Sequence, residues 1–280
     1  MSVNHDHEHI NQDRFADSAG RPWEGRSFEP NPHAGDDGSA NPALLKALTE
    51  FREGHLAALA AFENQTELSG WADPQPVIEA LRHARLLVPM LATLGEAGVG
   101  AHGQTVDKSA DLAVVTLQGP DGRPAMPAFT SMAAMQTGNA EARPIPVDAR
   151  KVCLAAAAEQ TTRVVIDPGN DTNFVLRRPL IAAIAQDIAW ASPESDPTIG
   201  QIIGQSVEGE DSVVQVGLAA ADPGFLLEND ELLVQIVLVP GLTREVLEAT
   251  IARITDRWSQ NEYFANAVDS VTFQLRAAQT

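Results

Sequence analysis

The stretch from Asp111 to Gln186 constrains the fold most, because strand, turn and helix signals follow one another closely along it. Leu112 to Leu117 is a short apolar run rich in β-branched residues, which predicts a buried strand. Gly119-Pro120-Asp121-Gly122 then supplies a turn, because proline presets φ and glycine accepts positive φ. A second strand from Arg123 to Phe129 completes a predicted hairpin.

Prolines interrupt two of the predicted strands. Pro124 and Pro127 lie in the second strand of the hairpin, and Pro89 lies in an apolar strand predicted from Arg85 to Leu94. A proline cannot donate a hydrogen bond to a neighbouring strand. We therefore expect both strands to lie at sheet edges or to carry bulges.

The rest of the stretch predicts alternating helices and strands. Ser131 is expected to cap a short helix, Arg143 to Val147 to be extended, and Asp148 to cap a helix that covers Lys151 to Glu159. The later elements are a strand at Arg163 to Ile166, a turn at Asp167 to Asn170, a strand at Phe174 to Leu176 and a helix that starts at Pro179. This order is typical of one α+β layer domain.

The flanking regions complete the predicted organisation. Asn41-Pro42 opens an amphipathic helix, which Gly54 could bend, and residues 1–41 before it form a disordered tail without a core of their own. Residues 42–189 form the first domain, residues 190–200 a linker, and residues 201–280 a second small domain. The expected fold class is α+β: two small α/β-layered domains with mixed or antiparallel sheets, preceded by the tail.

Four runs of residues together carry a family resemblance. They are Ala125-Met126-Pro127-Ala128-Phe129-Thr130-Ser131, Arg143-Pro144-Ile145-Pro146-Val147, Val165-Ile166-Asp167-Pro168-Gly169 and Phe174-Val175-Leu176-Arg177-Arg178-Pro179. As a set they resemble the SseB family as found in actinobacteria, over about Pro76 to Gln186. The C-terminal third is similar to the second domain that often accompanies it. The resemblance supports the domain boundaries and implies no particular reaction, cofactor or catalytic residue.

The charge of the chain excludes some classes of partner. The chain carries 38 acidic and 19 basic residues, which gives a formal net charge of −19. Phosphate backbones and anionic lipid surfaces would be repelled, so we expect neither nucleic acid nor membrane as a partner. Cys153 is the sole cysteine, which rules out an intrachain disulfide, and no apolar run is long enough to span a bilayer. These features indicate a cytoplasmic protein.

The sequence contains no recognisable catalytic motif. Phosphate loops, dinucleotide-binding glycine motifs, zinc-protease and nucleophile-elbow motifs are all missing, so we expect a non-enzymatic protein without a cofactor. Cys153 on the Ala-rich helix is expected to be a buried structural thiol, with a reactive thiol as the alternative. His83 and His102 have no convincing nucleophile nearby. The tract with His5, His7 and His9 is expected to be a flexible polar terminus, although imidazoles can bind transition metals weakly.

Arginines supply the first candidate binding site. Arg177 and Arg178 directly precede a helix that starts with a proline, and helix N-termini attract anions. If the fold brings Arg143 close to them, the three guanidinium groups could hold an anionic metabolite or an acidic partner. The alternative is an internal salt-bridge network, with Asp148 and Asp167 or with the acidic C-terminal domain.

Aromatic residues in the tail supply the second candidate. Trp23 and Phe28 lie among arginines and turn formers, a composition that can anchor a disordered segment on a partner. The alternative is that Trp23 packs on its own domain. The leading hypothesis is therefore a protein-binding or regulatory module, and the second is a sensor of an anionic small metabolite. Self-association through the helix that begins after Asn41 stays open.

Overall fold

Two helices of this protein start where a short polar residue precedes a proline. The structure is a computed structural model that describes residues 32–64, 70–93, 98–99, 105–106, 111–120, 122–138, 142–159 and 161–279. The side chain of Asn41 accepts hydrogen bonds from the N–H groups of Ala43 and Leu44. Asp196 does the same for Thr198. Each cap satisfies N–H groups that have no partner inside the helix. The two helices therefore begin where this local chemistry dictates.

The described helices are α1 (Pro42–Glu63), α2 (Gln75–Arg82), α3 (Met132–Gly138), α4 (Ala149–Ala158), α5 (Arg178–Gln186), α6 (Pro197–Ser206), α7 (Arg244–Ser259) and α8 (Glu262–Ala267). The described strands are β1 (Arg85–Thr93), β2 (Gly98–Val99), β3 (Thr105–Val106), β4 (Asp111–Val114), β5 (Leu117–Gln118), β6 (Pro124–Ala128), β7 (Arg143–Asp148), β8 (Arg163–Ile166), β9 (Phe174–Arg177), β10 (Val213–Ala220), β11 (Leu232–Leu238) and β12 (Val271–Ala277). None of these helices combines the length and the apolar character that a membrane span needs.

The strands form mixed and antiparallel sheets, which confirms the predicted α+β class. One sheet has the order β4-β1-β7 and is antiparallel throughout. A second has the order β5-β6-β8-β9, in which only the β6–β8 pair is parallel. A third has the order β10-β11-β12, with β11 and β12 parallel, and β2 pairs with β3 alone. The first strand of the predicted hairpin is divided: Asp111–Val114 forms β4 and pairs with β1, and only Leu117–Gln118, as β5, pairs with β6.

Residues 37–280 form one compact unit, whose described part contains two large hydrophobic cores and a small third cluster of Leu87, Phe129 and Met135. The first core lies under α1, α2, α4 and α5, and Leu44, Leu48 and Phe51 of α1 are buried in it. The apolar face of α1 therefore packs on its own chain, and the helix continues through Gly54. The second core lies between the third sheet and helices α6 and α7, where Ile254 and Trp258 are buried. Residues 1–36 form a separate unit, in which residues 32–35 make a turn.

The prediction that proline-containing strands lie at edges or bulges is wrong for β1 and β6. Strand β1 is central in its sheet, and Pro89 lies opposite Pro144 of β7. The carbonyl of Pro89 accepts a hydrogen bond from the N–H of Val115, one residue beyond the last paired residues of β1 and β4. The N–H that proline lacks therefore lies beyond the hydrogen-bonded pairing of these two strands. Strand β6 lies between β5 and β8, but β5 ends before it reaches Pro127. Short neighbouring strands thus accommodate the prolines inside the sheets.

Two further differences concern helix starts. The segment predicted as a linker contains the first turn of α6, because Asp196 caps this helix and Ile199 and Ile203 anchor it in the second core. Asp148 precedes α4 as expected, but its side chain does not cap the helix and lies 3.5 Å from Nζ of Lys151. The predicted tail lies outside the described residues up to position 31. The division into two domains stays a prediction.

The loop between β10 and β11 connects the two cores. Phe225 projects from this loop into the first core, where its ring stacks on Phe174 at 4.7 Å and meets Phe51 edge-on at 5.8 Å. The carbonyl of Phe225 also accepts a hydrogen bond from the N–H of Val175 in β9. A residue of the C-terminal region thus completes the aromatic centre of the N-terminal core.

Phe225→Ala should lower the free energy of unfolding by about 3 kcal/mol, because it removes an aromatic ring that fills the first core. Phe62→Ala is the matched control, since the Phe62 side chain is 63% exposed and its loss should cost no more than about 0.5 kcal/mol. Urea denaturation followed by circular dichroism would measure both. Equal losses for the two variants would contradict this packing role.

Candidate functional site

Arg177 lies at the end of β9, and its guanidinium is occupied by groups from the C-terminal region. Nη2 donates to Oδ2 of Asp222 at 2.6 Å and to the carbonyl of Asn229 at 2.6 Å. Nη1 donates to Oγ of Ser270 at 3.2 Å and lies 3.6 Å from Oδ2 of Asp269. Because the side chains of Arg177, Asp222 and Asp269 are almost completely buried, this arginine serves inside the fold.

Arg178, the first residue of α5, also holds the C-terminal region. Its Nη2 atom donates to the carbonyls of Ala265 and Val268 at 2.6 and 2.8 Å. These carbonyls lie at the end of α8, where the helix leaves acceptors without internal partners and where a cation is favoured. Arg178 therefore caps α8 from outside.

Arg143 lies on a different sheet from the other two predicted arginines. It is the first residue of β7, is exposed, and pairs with Met90 of β1. Arg177 thus lies in a buried salt-bridge network with the C-terminal region, Arg178 bonds to backbone carbonyls of that region, and Arg143 remains on the surface. The two carboxylates proposed for that network have other partners. Asp148 faces Lys151, and Asp167 accepts from the side chains of Thr130 and Thr172.

In the described part of the chain, Asp269 is the carboxylate with three arginine side chains within 4 Å. Its oxygens lie 3.2 Å from Nη2 of Arg163, 3.6 Å from Nη1 of Arg177 and 3.8 Å from Nη1 of Arg123. The side chains of Arg163, Arg177 and Asp269 are all almost completely buried. An ion pair in such a place is strongly destabilising when one member is removed, because the other charge stays buried.

Glu231 is a further buried carboxylate beside this cluster. Its Oε2 atom accepts a hydrogen bond of 2.6 Å from the N–H of Asp269. Burial raises the pKa of Glu231 to about 7, and the neighbouring carboxylates of Asp269 and Glu194 add to this, whereas the same hydrogen bond and Arg177 oppose it. Burial likewise raises the pKa of Glu194. Glu231 therefore keeps its proton to a higher pH than an exposed carboxylate would.

Cys153 and His83 behave as the sequence suggested. Cys153 is buried in the first core, and burial raises the pKa of its thiol to about 12, so it has the properties of a structural thiol. His83 is exposed, with Nε2 3.3 Å from Oε1 of Glu79. No group of three metal-ligating side chains lies close together in the described part of the chain. His102 and the tract of His5, His7 and His9 lie outside the described residues, as do Trp23 and Phe28.

Sequence reasoning missed one surface feature, a groove at the C-terminal end of α1. Its volume is about 320 Å³, and its walls include His55, Phe62 and Trp71 together with the turn around Pro223 and Gly224. His55 is only 7% exposed although it is polar. The sequence signal was weak, because a histidine within the apolar stripe of α1 differs little from other helical positions.

Arg177→Ala should lower the free energy of unfolding by about 3–5 kcal/mol, because Asp222 and Asp269 would keep buried charge without this partner. Arg143→Ala is the matched control and should change it by no more than about 0.5 kcal/mol, since Arg143 is exposed. Urea titrations at pH 7 would compare them. A loss below about 1 kcal/mol for Arg177→Ala would refute its structural role.

Glu231→Gln should alter the pH dependence of stability. The folded pKa of about 7 exceeds the ordinary value of 4.5, so the folded state binds more protons and the contribution of Glu231 to stability falls as pH rises from about 4.5 to 7. Glutamine keeps an acceptor for the Asp269 N–H and does not ionise. The free energy of unfolding of Glu231→Gln relative to the unchanged protein should therefore rise by about 3 kcal/mol between pH 4.5 and pH 8. Parallel denaturant titrations would measure this difference, and a constant difference across that range would contradict the buried-acid assignment.

The comparisons with known proteins give one match. The SseB protein N-terminal domain matches residues 44–183, which is half of the chain and includes most of the first core, β9 and the start of α5. Neither the search of curated proteins nor the search of solved structures gives a match. The matched segment contains Arg177 and Arg178, which hold the C-terminal region, together with the Thr130 and Asp167 pair. The chain belongs to the SseB family.

Proposed function

We propose that this protein is a non-enzymatic, cytoplasmic interaction or regulatory module of the actinobacterial SseB type, in which residues 201–280 form the accompanying C-terminal domain. The observation that carries the proposal is the groove at the end of α1, whose aromatic wall includes Phe62 with 63% of its surface exposed. Exposed aromatic surface beside a concave site is typical of protein contact sites. The sequence adds support because it contains no catalytic motif.

The predicted arginine site supports this choice indirectly. The donors of Arg177 reach Asp222, Asn229 and Ser270, and Arg178 reaches the carbonyls at the end of α8. An anion would have to displace these short bonds and leave Asp222 buried without its arginine. Binding of a protein partner through exposed surface requires no such displacement.

A second candidate function is the sensing of a small anion. It is favoured by a polar cavity of about 370 Å³ that Arg163 and Arg177 line together with Ser270. Glu228 and Asp230 line the same cavity and oppose an anion there. A thermal-shift titration with phosphate, citrate and glutamate would support this candidate if a millimolar anion raised the melting temperature of the unchanged protein and not that of Arg177→Met.

A pull-down from lysate of the native host, with the full chain as bait and quantitative mass spectrometry, tests the interaction role. We expect specific partners whose recovery falls at least fivefold in Phe62→Ala or in a Trp23→Ala/Phe28→Ala double variant. Leu154→Ala is the control, because Leu154 is a 50% exposed apolar residue on α4. If no protein is enriched over a bait-free matrix, even after chemical cross-linking, the interaction role fails.

A further inference from the structure

The groove at the end of α1 has largely apolar walls, and His55 and Asp222 are buried polar residues in its lining. Phe62 and Trp71 lie with ring centroids 6.3 Å apart, and Trp71 lies 5.8 Å from His55. Leu59 of α1 and Leu226 of the β10–β11 loop add apolar surface. A volume of about 320 Å³ is at the lower end of the range of about 300–1,000 Å³ found for ligand sites. The groove therefore has room for one large side chain rather than for an extended cofactor.

His55 supplies unused hydrogen-bonding capacity at this site. Its Nδ1 atom is buried and makes no hydrogen bond with any residue in the described ranges. Burial lowers the pKa of His55 and Arg52 adds to this, while Asp222 and Glu228 oppose it, so the environment favours the neutral ring, which has one donor and one acceptor nitrogen. His55 lines the groove, so its ring is the polar side chain that a backbone amide in the groove would meet there.

Gly224 leaves room for the His55 ring. A Cβ atom at position 224 would lie 2.7 Å from Nε2 of His55, so only glycine allows the ring this close to the loop. The loop itself is fixed by Asp222, whose carboxylate accepts from the N–H groups of Leu226 and Leu227. The histidine and its wall are therefore prearranged.

The rim of the groove is acidic. Glu228 lines it and is exposed. Asp222 also lines the groove, but Arg177 already neutralises it, so Glu228 is the exposed carboxylate of the rim. The guanidinium of Arg52 interacts electrostatically with Glu228 and donates to the carbonyls of Asp171 and Asn173. The net charge of −19 adds attraction for a cationic partner.

We propose that this groove, which we call the α1 groove, binds a peptide segment of a partner protein in which one aromatic side chain is flanked by arginine or lysine. The aromatic ring fills the space between Phe62, Trp71 and Leu226, the peptide backbone meets His55, and the flanking cation faces Glu228. This inference rests on the proposed function and adds the chemistry of the partner to it.

Fluorescence anisotropy with labelled synthetic peptides and the full chain tests the inference. The probe is Gly-Arg-Trp-Arg-Gly, and its controls are Gly-Arg-Ala-Arg-Gly, which has the same charge, and Gly-Glu-Trp-Glu-Gly, which has the same ring. Titrations at fixed ionic strength keep screening constant. We expect the first peptide to bind at least tenfold more tightly than either control.

Variants of the protein locate the binding. Phe62→Ala and Glu228→Gln change exposed residues and should each weaken the probe at least fivefold. His55→Phe keeps an aromatic ring and removes the nitrogens, and Gly224→Ala displaces the ring, so both should weaken it as well. Leu154→Ala and Glu262→Gln are the matched apolar and acidic controls on other surfaces and should change nothing. A thermal melt of each variant confirms that it is folded.

The outcomes separate this inference from the broader function. Binding that depends on tryptophan, arginine, Phe62 and Glu228 supports it. Equal binding of the two arginine peptides, or equal binding to all folded variants, would show unspecific charge attraction and would overturn it, as would no binding at millimolar peptide. If the pull-down still gives partners whose recovery falls in the Trp23→Ala/Phe28→Ala variant, the interaction role survives while the α1 groove is excluded.

Discussion

The buried ion pair between Arg177 and Asp222 is the interaction on which the rest of the structure depends. It joins the end of β9, in the first core, to the β10–β11 loop of the second. The same Asp222 carboxylate accepts from two N–H groups of its own loop, so it shapes that loop while it neutralises the arginine. A buried pair with such additional hydrogen bonds specifies one arrangement of its elements, because any other arrangement leaves a charge buried without a partner.

The local elements could be predicted from the sequence because their signals are local. Asn41 and Ser131 cap helices in the predicted places, and the turn that begins at Asp167 separates β8 from β9 as expected. Asp196, like Asn41, is a short polar residue before a proline and therefore favours a helix start. The prolines and serines around it favour a linker instead, although Ile199 and Ile203 have helical spacing. The linker prediction followed the composition of this segment, although the N-cap Asp196 is the stronger physical argument.

The candidate site could not be predicted in the same way, because its contacts join distant parts of the chain. The sequence marks Arg177 and Arg178 as candidate binding residues. Periodicity and turn chemistry cannot show that Arg177 pairs with Asp222, a carboxylate 45 positions later in the chain. Asp222-Pro223-Gly224 is typical of a turn, but nothing local indicates that Phe225 enters the first core or that Gly224 lies against His55. Both contacts depend on how the β5-β6-β8-β9 sheet and the β10-β11-β12 sheet are placed together.

The β10–β11 loop has two faces, and this links the fold to the α1 groove. Phe225 and Leu227 both have positive φ, at 52° and 63°, a conformation that costs a residue with a side chain about 1–3 kcal/mol. The ring of Phe225 in the first core and the Asp222 hydrogen bonds offset that cost on one face, while Leu226 and Gly224 form the groove wall on the other. A peptide that contacts this wall would bind the joined arrangement better than a separated one. By thermodynamic linkage, its binding energy then stabilises the contact between the two cores.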